Sequence, residues 1–324
     1  MNSFGSKFRI SIFGESHGEL IGVVMDGVPA GMSISKEDFI ADLLRRKSGA
    51  KGTTPRVESD EPEIVSGWFN GVTTGAPLTV LFRNNNTRSG DYSQFREIPR
   101  PGHADFVAGV KFDSFNDIRG GGHFSGRLTL CLVAAGVVAK KMVAPVEIKA
   151  VIKEIGGIDC SDKEGVAAAI EKAVAEGDSL GGIVECVSTG VPVGLGSPFF
   201  DSLESQISHL AFSIPGIRGI EFGDGFAAAR MRGSEHNDPI VDSSGKSGKN
   251  GAGGINGGIT NGNPVLFRIA VKPTSSISAM QKSYNFKSCR VEEFSIKGRH
   301  DSCIALRVPV IAEAIAAIAF VNCI

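Results

Sequence analysis

Two stretches of this chain repeat one another, and the repeat limits its fold more than any other feature. Gly14-Glu15-Ser16-His17-Gly18 is followed by Gly27-Val28-Pro29-Ala30-Gly31, and Gly177-Asp178-Ser179-Leu180-Gly181 by Gly190-Val191-Pro192-Val193-Gly194. Gly14 and Gly27 stand 13 apart, as do Gly177 and Gly190. The apolar runs between them, 20–25 and 183–187, predict buried strands, and each Gly-Val-Pro-x-Gly predicts a turn. A helix is predicted after each turn, over 36–46 and 200–212. A second pair comes in the same order, GVTTGAP at 71–77 and GITNGNP at 258–264, and each precedes a strand-like run at 78–82 and 265–271. Helices at 127–143 and 308–322 are apolar nearly all round, which predicts burial on every face. The reading is one domain over 1–324, built from related halves at about 1–145 and 146–324. The class is α+β, in four sheet-and-helix layers with pseudo-twofold symmetry. There is no steady strand–helix alternation, so a doubly wound fold fits poorly. Leu180 stands where His17 stands in the first copy, which suggests that the scaffold does not need the imidazole.

Composition narrows the function classes. Apolar residues make up 42% and charged residues 21%, as in ordinary globular proteins. The net charge of -1 gives no bias toward nucleic acid or an anionic membrane. The start lacks the long apolar run of a signal peptide, and the longest apolar runs fall short of a membrane span. The six cysteines form no C-x-x-C pair, which fits reduced thiols in a cytoplasmic protein.

Glycine is abundant, at 42 residues, and it recurs beside Ser, Arg and His. Gly-Glu-Ser-His-Gly fits a nucleophile elbow by letters alone, but a strand and a Pro turn follow it where an elbow needs a helix. The stretch from Arg45 to Arg56, which includes Arg46, reads as a candidate clamp for phosphate or carboxylate. Arg100-Pro101-Gly102-His103-Ala104-Asp105 offers a histidine between a rigid turn and an acid. The stretch from Arg119 to Arg127, with Gly120–Gly122 at its start, predicts an anion site at a helix N-terminus. The loops at 250–258, 272–276 and 297–301 join small residues to hydroxyls and cations. Histidine and cysteine spacing gives no metal site. These residues alone point to an enzyme that binds a multiply charged anion among arginines and histidines.

Taken together, the motifs resemble those of the chorismate synthases. They are FGESHG at 13–18, DGVPAG at 26–31, GVTTGAP at 71–77, NTRSGDYS at 86–93, RPGHAD at 100–105 and RGGG-x-x-S-x-R at 119–127. In the second half they are GDSLGG at 177–182, GVPVGLG at 190–196, EFGDGF at 221–226, AGGINGG at 252–258, KPTSSI at 272–277 and KGRHD at 297–301. The resemblance implies a β-α-β-α sandwich and a homotetramer. It implies a lyase that forms chorismate from 5-enolpyruvylshikimate 3-phosphate by anti-1,4-elimination of phosphate, the last common step of the shikimate pathway to aromatic amino acids. Reduced FMN would be required without net redox change, with NADPH or a separate flavin reductase as the source of electrons. His17 would protonate the departing phosphate, His103 would protonate the flavin, and Asp301 would assist removal of the C6 proton. The implied flavin contacts are His123, Phe124, Ser125, Gly216, Gly257, Lys272, Pro273, Thr274, Ser275, Ser276 and Arg299. Arg46, Arg56, Arg100 and Arg127 would hold substrate or NADP anions, and Arg299 would join them. Two departures from the family pattern stand out. His123-Phe124-Ser125-Gly126-Arg127 replaces Arg-Ser-Ser-Ala-Arg, and Pro215-Gly216 replaces Asn-Ala.

Overall fold

The computed structural model describes residues 2–49, 51–56, 58–87, 89–296, 298 and 300–324. The first half runs through β1 (Ser3–Phe4), β2 (Arg9–Gly14), β3 (Leu20–Asp26), α1 (Glu37–Arg46), β4 (Glu63–Ser66), a short hairpin of β5 (Trp68–Phe69) and β6 (Val72–Thr73), and β7 (Leu78–Arg83). Helices α2 (Asp105–Lys111) and α3 (Thr129–Met142) complete it. The second half contains β8 (Glu147–Ile155), β9 (Ile158–Asp159), α4 (Lys163–Glu176), β10 (Gly182–Thr189), α5 (Leu203–Ser213), β11 (Ile217–Phe222) and α6 (Gly233–His236). It continues with the hairpin β12 (Ile255–Asn256) and β13 (Ile259–Thr260), then β14 (Val265–Val271), the hairpin β15 (Gln281–Asn285) and β16 (Arg290–Phe294), and α7 (Pro309–Cys323).

Strict alternation makes the strands. Val265, Phe267, Ile269 and Val271 of β14 all face inward, and so do Leu78, Val80 and Phe82 of β7. Two five-stranded antiparallel sheets result, ordered β1-β2-β3-β7-β4 and β9-β8-β10-β14-β11. The succession β3-α1-β4-hairpin-β7 in the first half matches β10-α5-β11-hairpin-β14 in the second. This is the predicted α+β architecture with its internal symmetry.

The symmetry fails at one place that matters. In the first half, β2 turns directly into β3 through the loop that holds His17. In the second half, β9 and α4 intervene, and Gly177 is the left-handed cap of α4 at φ 67°. His17 therefore sits in a hairpin loop, and Leu180 follows a helix end. The repeat does not make position 17 tolerant of an apolar side chain. A second correction concerns α5, which starts at Leu203. Phe199 has φ 63°, and the Ser202 hydroxyl accepts the Ser205 N–H at 3.1 Å, so the helix cannot reach back to 200.

The core lies where α3 and α7 cross. Residues 129–139 of α3 and 310–321 of α7 are buried on every face. Gly136 allows the crossing, because a Cβ there would overlap Ala314. Glu313 is the one carboxylate inside α7. It is held by Arg45 of α1 at 2.6 and 2.7 Å, by Lys140 of α3 at 2.8 Å and by the Ala150 N–H of β8 at 3.0 Å. Among the described residues, no helix is long and apolar enough to cross a membrane.

Candidate active site

Loops from both halves meet around a cavity of about 590 Å³. The first half supplies Ser16, Arg46, Arg56, Tyr92, Arg100, His103 and the loop from Gly120 to Arg127. The second supplies Pro215 to Arg218, Lys272 to Ser276, His300, Asp301 and Arg307.

The glycine loop sets the spacing. Gly120, Gly121 and Gly122 have φ of 61°, 82° and 55°, a left-handed run that side chains resist. A Cβ on Gly120 would overlap the His17 ring, and one on Gly121 would lie 3.4 Å from His103 Nε2. The loop therefore passes between the two histidines at contact distance. It is also pinned from below, because the Ser16 N–H donates to the Gly122 carbonyl at 3.1 Å. α3 begins only at Thr129, and the Ser125 hydroxyl accepts the Arg127 N–H at 3.2 Å.

His17 is 7% exposed and stands edge-on to Tyr92, with ring centres 5.0 Å apart. Burial first, then the charges of Arg56 and Arg119, lower its pKa to about 4. The ring is neutral at pH 7 until an anion arrives beside it. His103 is oriented through Nδ1, which lies 2.7 Å from Asp105 Oδ1. Arg100 approaches the same nitrogen at 3.1 Å. A guanidinium cannot accept, and Asp105 is ionised, so the Nδ1 proton points to Asp105 and Nε2 is turned toward the glycine loop. Burial alone would raise the Asp105 pKa. Hydrogen bonds from Arg100 and His103 outweigh it and hold the group far below the usual carboxylate range.

Among the described residues, seven cations line the cavity, Arg46, Arg56, Arg100, Arg127, Arg218, Lys272 and Arg307, against three carboxylates, Glu58, Asp60 and Asp301. Asp60 lies between Arg127, which donates to its Oδ1, and Arg46, 3.8 Å from its Oδ2. Arg56 forks onto Glu58 at 2.7 and 2.9 Å and onto Ser16 at 3.0 Å. Arg307 reaches both Asp301 oxygens at 3.2 and 3.3 Å and donates to the Arg46 carbonyl at 2.9 Å. Asp301 also accepts the Thr54 N–H at 2.9 Å. Burial, then Arg307, pull the Arg46 pKa well below its ordinary value. A guanidinium keeps its proton, so this marks a positive charge buried beside Arg307 and Arg127 that Asp60 and Asp301 offset only in part. A wall with this surplus of cations suits a ligand with several anionic groups.

The decisive likeness is one of sequence over the whole chain. The family model described as chorismate synthase matches residues 8–324. The chain belongs to the chorismate synthase family. The chorismate synthase of Chitinophaga pinensis is 62% identical over 323 residues, covering 99% of this chain and 96% of that one. That of Korarchaeum cryptofilum is 45% identical over 341 residues, covering 97% and 94%. A crystal structure of chorismate synthase matches with a TM-score of 0.77 at 26% identity, over 99% of this chain and 92% of that one.

Most of the residues expected from the resemblance to chorismate synthase line one cavity: His103, Asp301, the four arginines at 46, 56, 100 and 127, Phe124, Ser125, Gly216 and the 272–276 loop. His17 stands just behind the wall, against Gly120. Gly257 does not join them. It sits in the β12–β13 hairpin turn, outside the lining, with φ 60° and open space beside it. Arg299 lies outside the described residues. His123 reaches the lining, but its ring nitrogens face the Gly14 carbonyl at 2.8 Å and Asn2 Oδ1 at 3.1 Å. It ties the glycine loop to Asn2 and to the end of β2 more than it replaces an arginine in the cavity.

Reasoning from sequence missed Glu58, Asp60, Arg218 and Arg307. Signals for some of them were present. An acidic run at 58–63 follows the basic loop directly, and Arg307 is a lone cation at the mouth of an apolar helix. The cavity fits a flavin. Gly216, at φ 94°, has open space where a Cβ would stand. Among the described residues, the buried Thr274 hydroxyl oxygen has no hydrogen-bond partner.

Proposed function

We propose that this chain is a carbon–oxygen lyase. In this reading it forms chorismate from 5-enolpyruvylshikimate 3-phosphate, with reduced FMN, as the last common step toward the aromatic amino acids. The observation that carries the proposal is the cavity itself, which among the described residues is lined by seven cations from both halves and bordered by a glycine loop that passes between two histidines. The substrate bears a phosphate and two carboxylates, which matches that surplus of charge.

In the reaction the C–O bond to phosphate breaks and the C6 proton leaves, with no net oxidation. Reduced flavin, when bound, supplies transient electron density to the substrate ring. The residues of the chain do the rest. Arg46, Arg56, Arg100 and Arg127 hold the anionic groups in place, and their geometry is fixed before the ligand arrives by Asp60, Glu58 and Asp105. His17 is neutral when no anion is near. A phosphate dianion beside it raises its proton affinity and makes it an acid for that leaving group. Asp105 accepts the Nδ1 proton of His103, which leaves Nε2 as the ring nitrogen that exchanges a proton beside the glycine loop. Asp301 is held by Arg307 and the Thr54 N–H, so one carboxylate faces the cavity in a single orientation.

The flavin would lie against Phe124, Ser125, Gly216 and the 272–276 loop, with Arg299 as a further contact. Electrons come from NADPH or from a separate flavin reductase, and oxidation of NADPH by the purified protein separates the two. Residues 1–324 are read as one domain, assembled as a homotetramer in the cytoplasm. The six unpaired cysteines support a reducing compartment. The test is an anaerobic assay with the phosphate ester and dithionite-reduced FMN, following phosphate and chorismate together. Steady oxidation of NADPH with no release of phosphate would replace the proposal with a flavin reductase.

A further inference from the structure

Asn84 is the first residue beyond β7, and it reaches two parts of the site at once. Its N–H donates to the Glu19 carbonyl at 3.1 Å, one step past the last β3–β7 pair, Leu20 with Arg83. Its side-chain amide donates to two carbonyls of the loop between β2 and β3, Glu15 at 3.0 Å and Gly18 at 2.9 Å. The amide oxygen accepts the Arg127 Nε–H at 3.1 Å. An arginine Nε–H can only donate and a backbone carbonyl can only accept, so the amide has one orientation.

The two carbonyls bracket Ser16 and His17. The turn they belong to is closed by the Gly18 N–H, which donates to the Glu15 carbonyl at 3.1 Å. Ser16 ties the same turn to the Gly122 carbonyl at 3.1 Å and to Arg56 at 3.0 Å. The His17 ring occupies a narrow slot. A Cβ on Gly120 would lie 2.4 Å from its Cδ2, and Tyr92 stands perpendicular to it at 5.0 Å. A ring in such a slot keeps its place only while the loop that carries it does. Asn84 itself is half-buried and lies outside the lining of the cavity, so anything it contributes passes through other residues.

We propose that Asn84 is a positioning residue of the reaction. Its amide fixes the loop of His17 against Arg127, so that the acid for the leaving phosphate and a cation for the substrate keep one spacing. The inference rests on the role given to His17 above, and it adds the contact through which that role depends on the end of β7. An Asn side chain offers two donors and an acceptor in one plane, which neither Asp nor Ala can do. Small displacements of an acid from its target are costly to rate.

The test compares wild type with Asn84→Ala and Asn84→Asp, each also made in a His17→Leu background. Asn84→Asp keeps an acceptor for Arg127 and loses both donors to the loop. Both variants should lower kcat about tenfold or more, the size expected for two lost neutral hydrogen bonds. KM should move less than kcat, because Arg127 keeps Asp60. In the His17→Leu background neither change should lower the residual turnover further. A second readout is independent of turnover. By NMR, His17 should titrate near 4 in wild type and move toward 6.5 in Asn84→Ala, as the loosened ring meets water. The charges that bear on it, Arg56, Arg119, Asp117 and Glu58, are unchanged by that substitution. An equal loss of turnover in both backgrounds would overturn the proposal, and so would an unmoved His17 titration. Failure of both variants to fold would assign Asn84 to stability alone and overturn it too. Absence of phosphate release by wild type would sink the lyase reading, and the His17 titration would then judge the positioning by itself.

Discussion

Asp60→Asn isolates one charge at the centre of the site. Asp60 has φ 55°, a left-handed conformation that Asn tolerates as well as Asp, so the backbone is not disturbed. The side chains of Asp60, Arg46 and Arg127 are 5%, 3% and 6% exposed. Removing the carboxylate leaves two buried guanidiniums facing each other with no anion between them. Breaking a buried pair in this way costs about 3–5 kcal/mol. Arg46 keeps Thr129 and the Gly126 carbonyl, and Arg127 keeps Asn84, so the lower end of that range is expected. The same change makes the site hungrier for anions. Inorganic phosphate should therefore bind the variant more tightly than wild type and recover part of the lost stability. Denaturant titration gives the loss, and calorimetry with phosphate gives the gain. A variant within about 0.5 kcal/mol of wild type in stability, with native phosphate affinity, would refute the view that Asp60 holds the place of a ligand anion.

Three further outcomes are expected. His103→Ala should cut turnover about 100- to 10,000-fold with the fold retained, as for a positioned acid; a loss of melting temperature at a native rate per folded molecule would mean that the ring only braces Asp105. Because the folded pKa of His17 is about 4 against 6.5 unfolded, the unfolded chain binds more protons in that window, and stability should fall as pH drops from about 6.5 to 4. His17→Leu should flatten that fall by up to one proton and lower turnover by roughly 100-fold or more, with denaturant curves at several pH values and a steady-state assay as the checks. Glu313→Gln should cost about 1–3 kcal/mol in urea unfolding, because Arg45 and Lys140 can still reach water. The Glu313 pKa is lowered in the fold, although burial opposes this, so its contribution is present above about pH 4.5 and fades below it; parallel acid unfolding curves for the variant and wild type would count against the assignment.

The parts of this protein that depend on short-range pattern were legible in the chain. Alternation of Val265, Phe267, Ile269 and Val271 can satisfy only a strand with one buried face, and the apolar helices at α3 and α7 can only be interior. The repeated turn motifs announced two related halves. The motif loops also named most of the cavity, since Gly120–Gly122, Arg100 and Lys272 carry their chemistry within a few residues. What pairs with what was decided by the tertiary structure. Asp60 and Arg127 are 67 residues apart, and Arg46 and Arg307 are 261 apart. No local pattern records which guanidiniums of the cavity face a carboxylate and that, among the described residues, Arg218 faces none. The repeat also misled at His17, because α4 enters the second half just before its Gly-x-Ser-x-Gly and changes the setting of Leu180. A motif preserves the short backbone path that its glycines allow, while the environment of its side chains comes from segments that fold back from elsewhere.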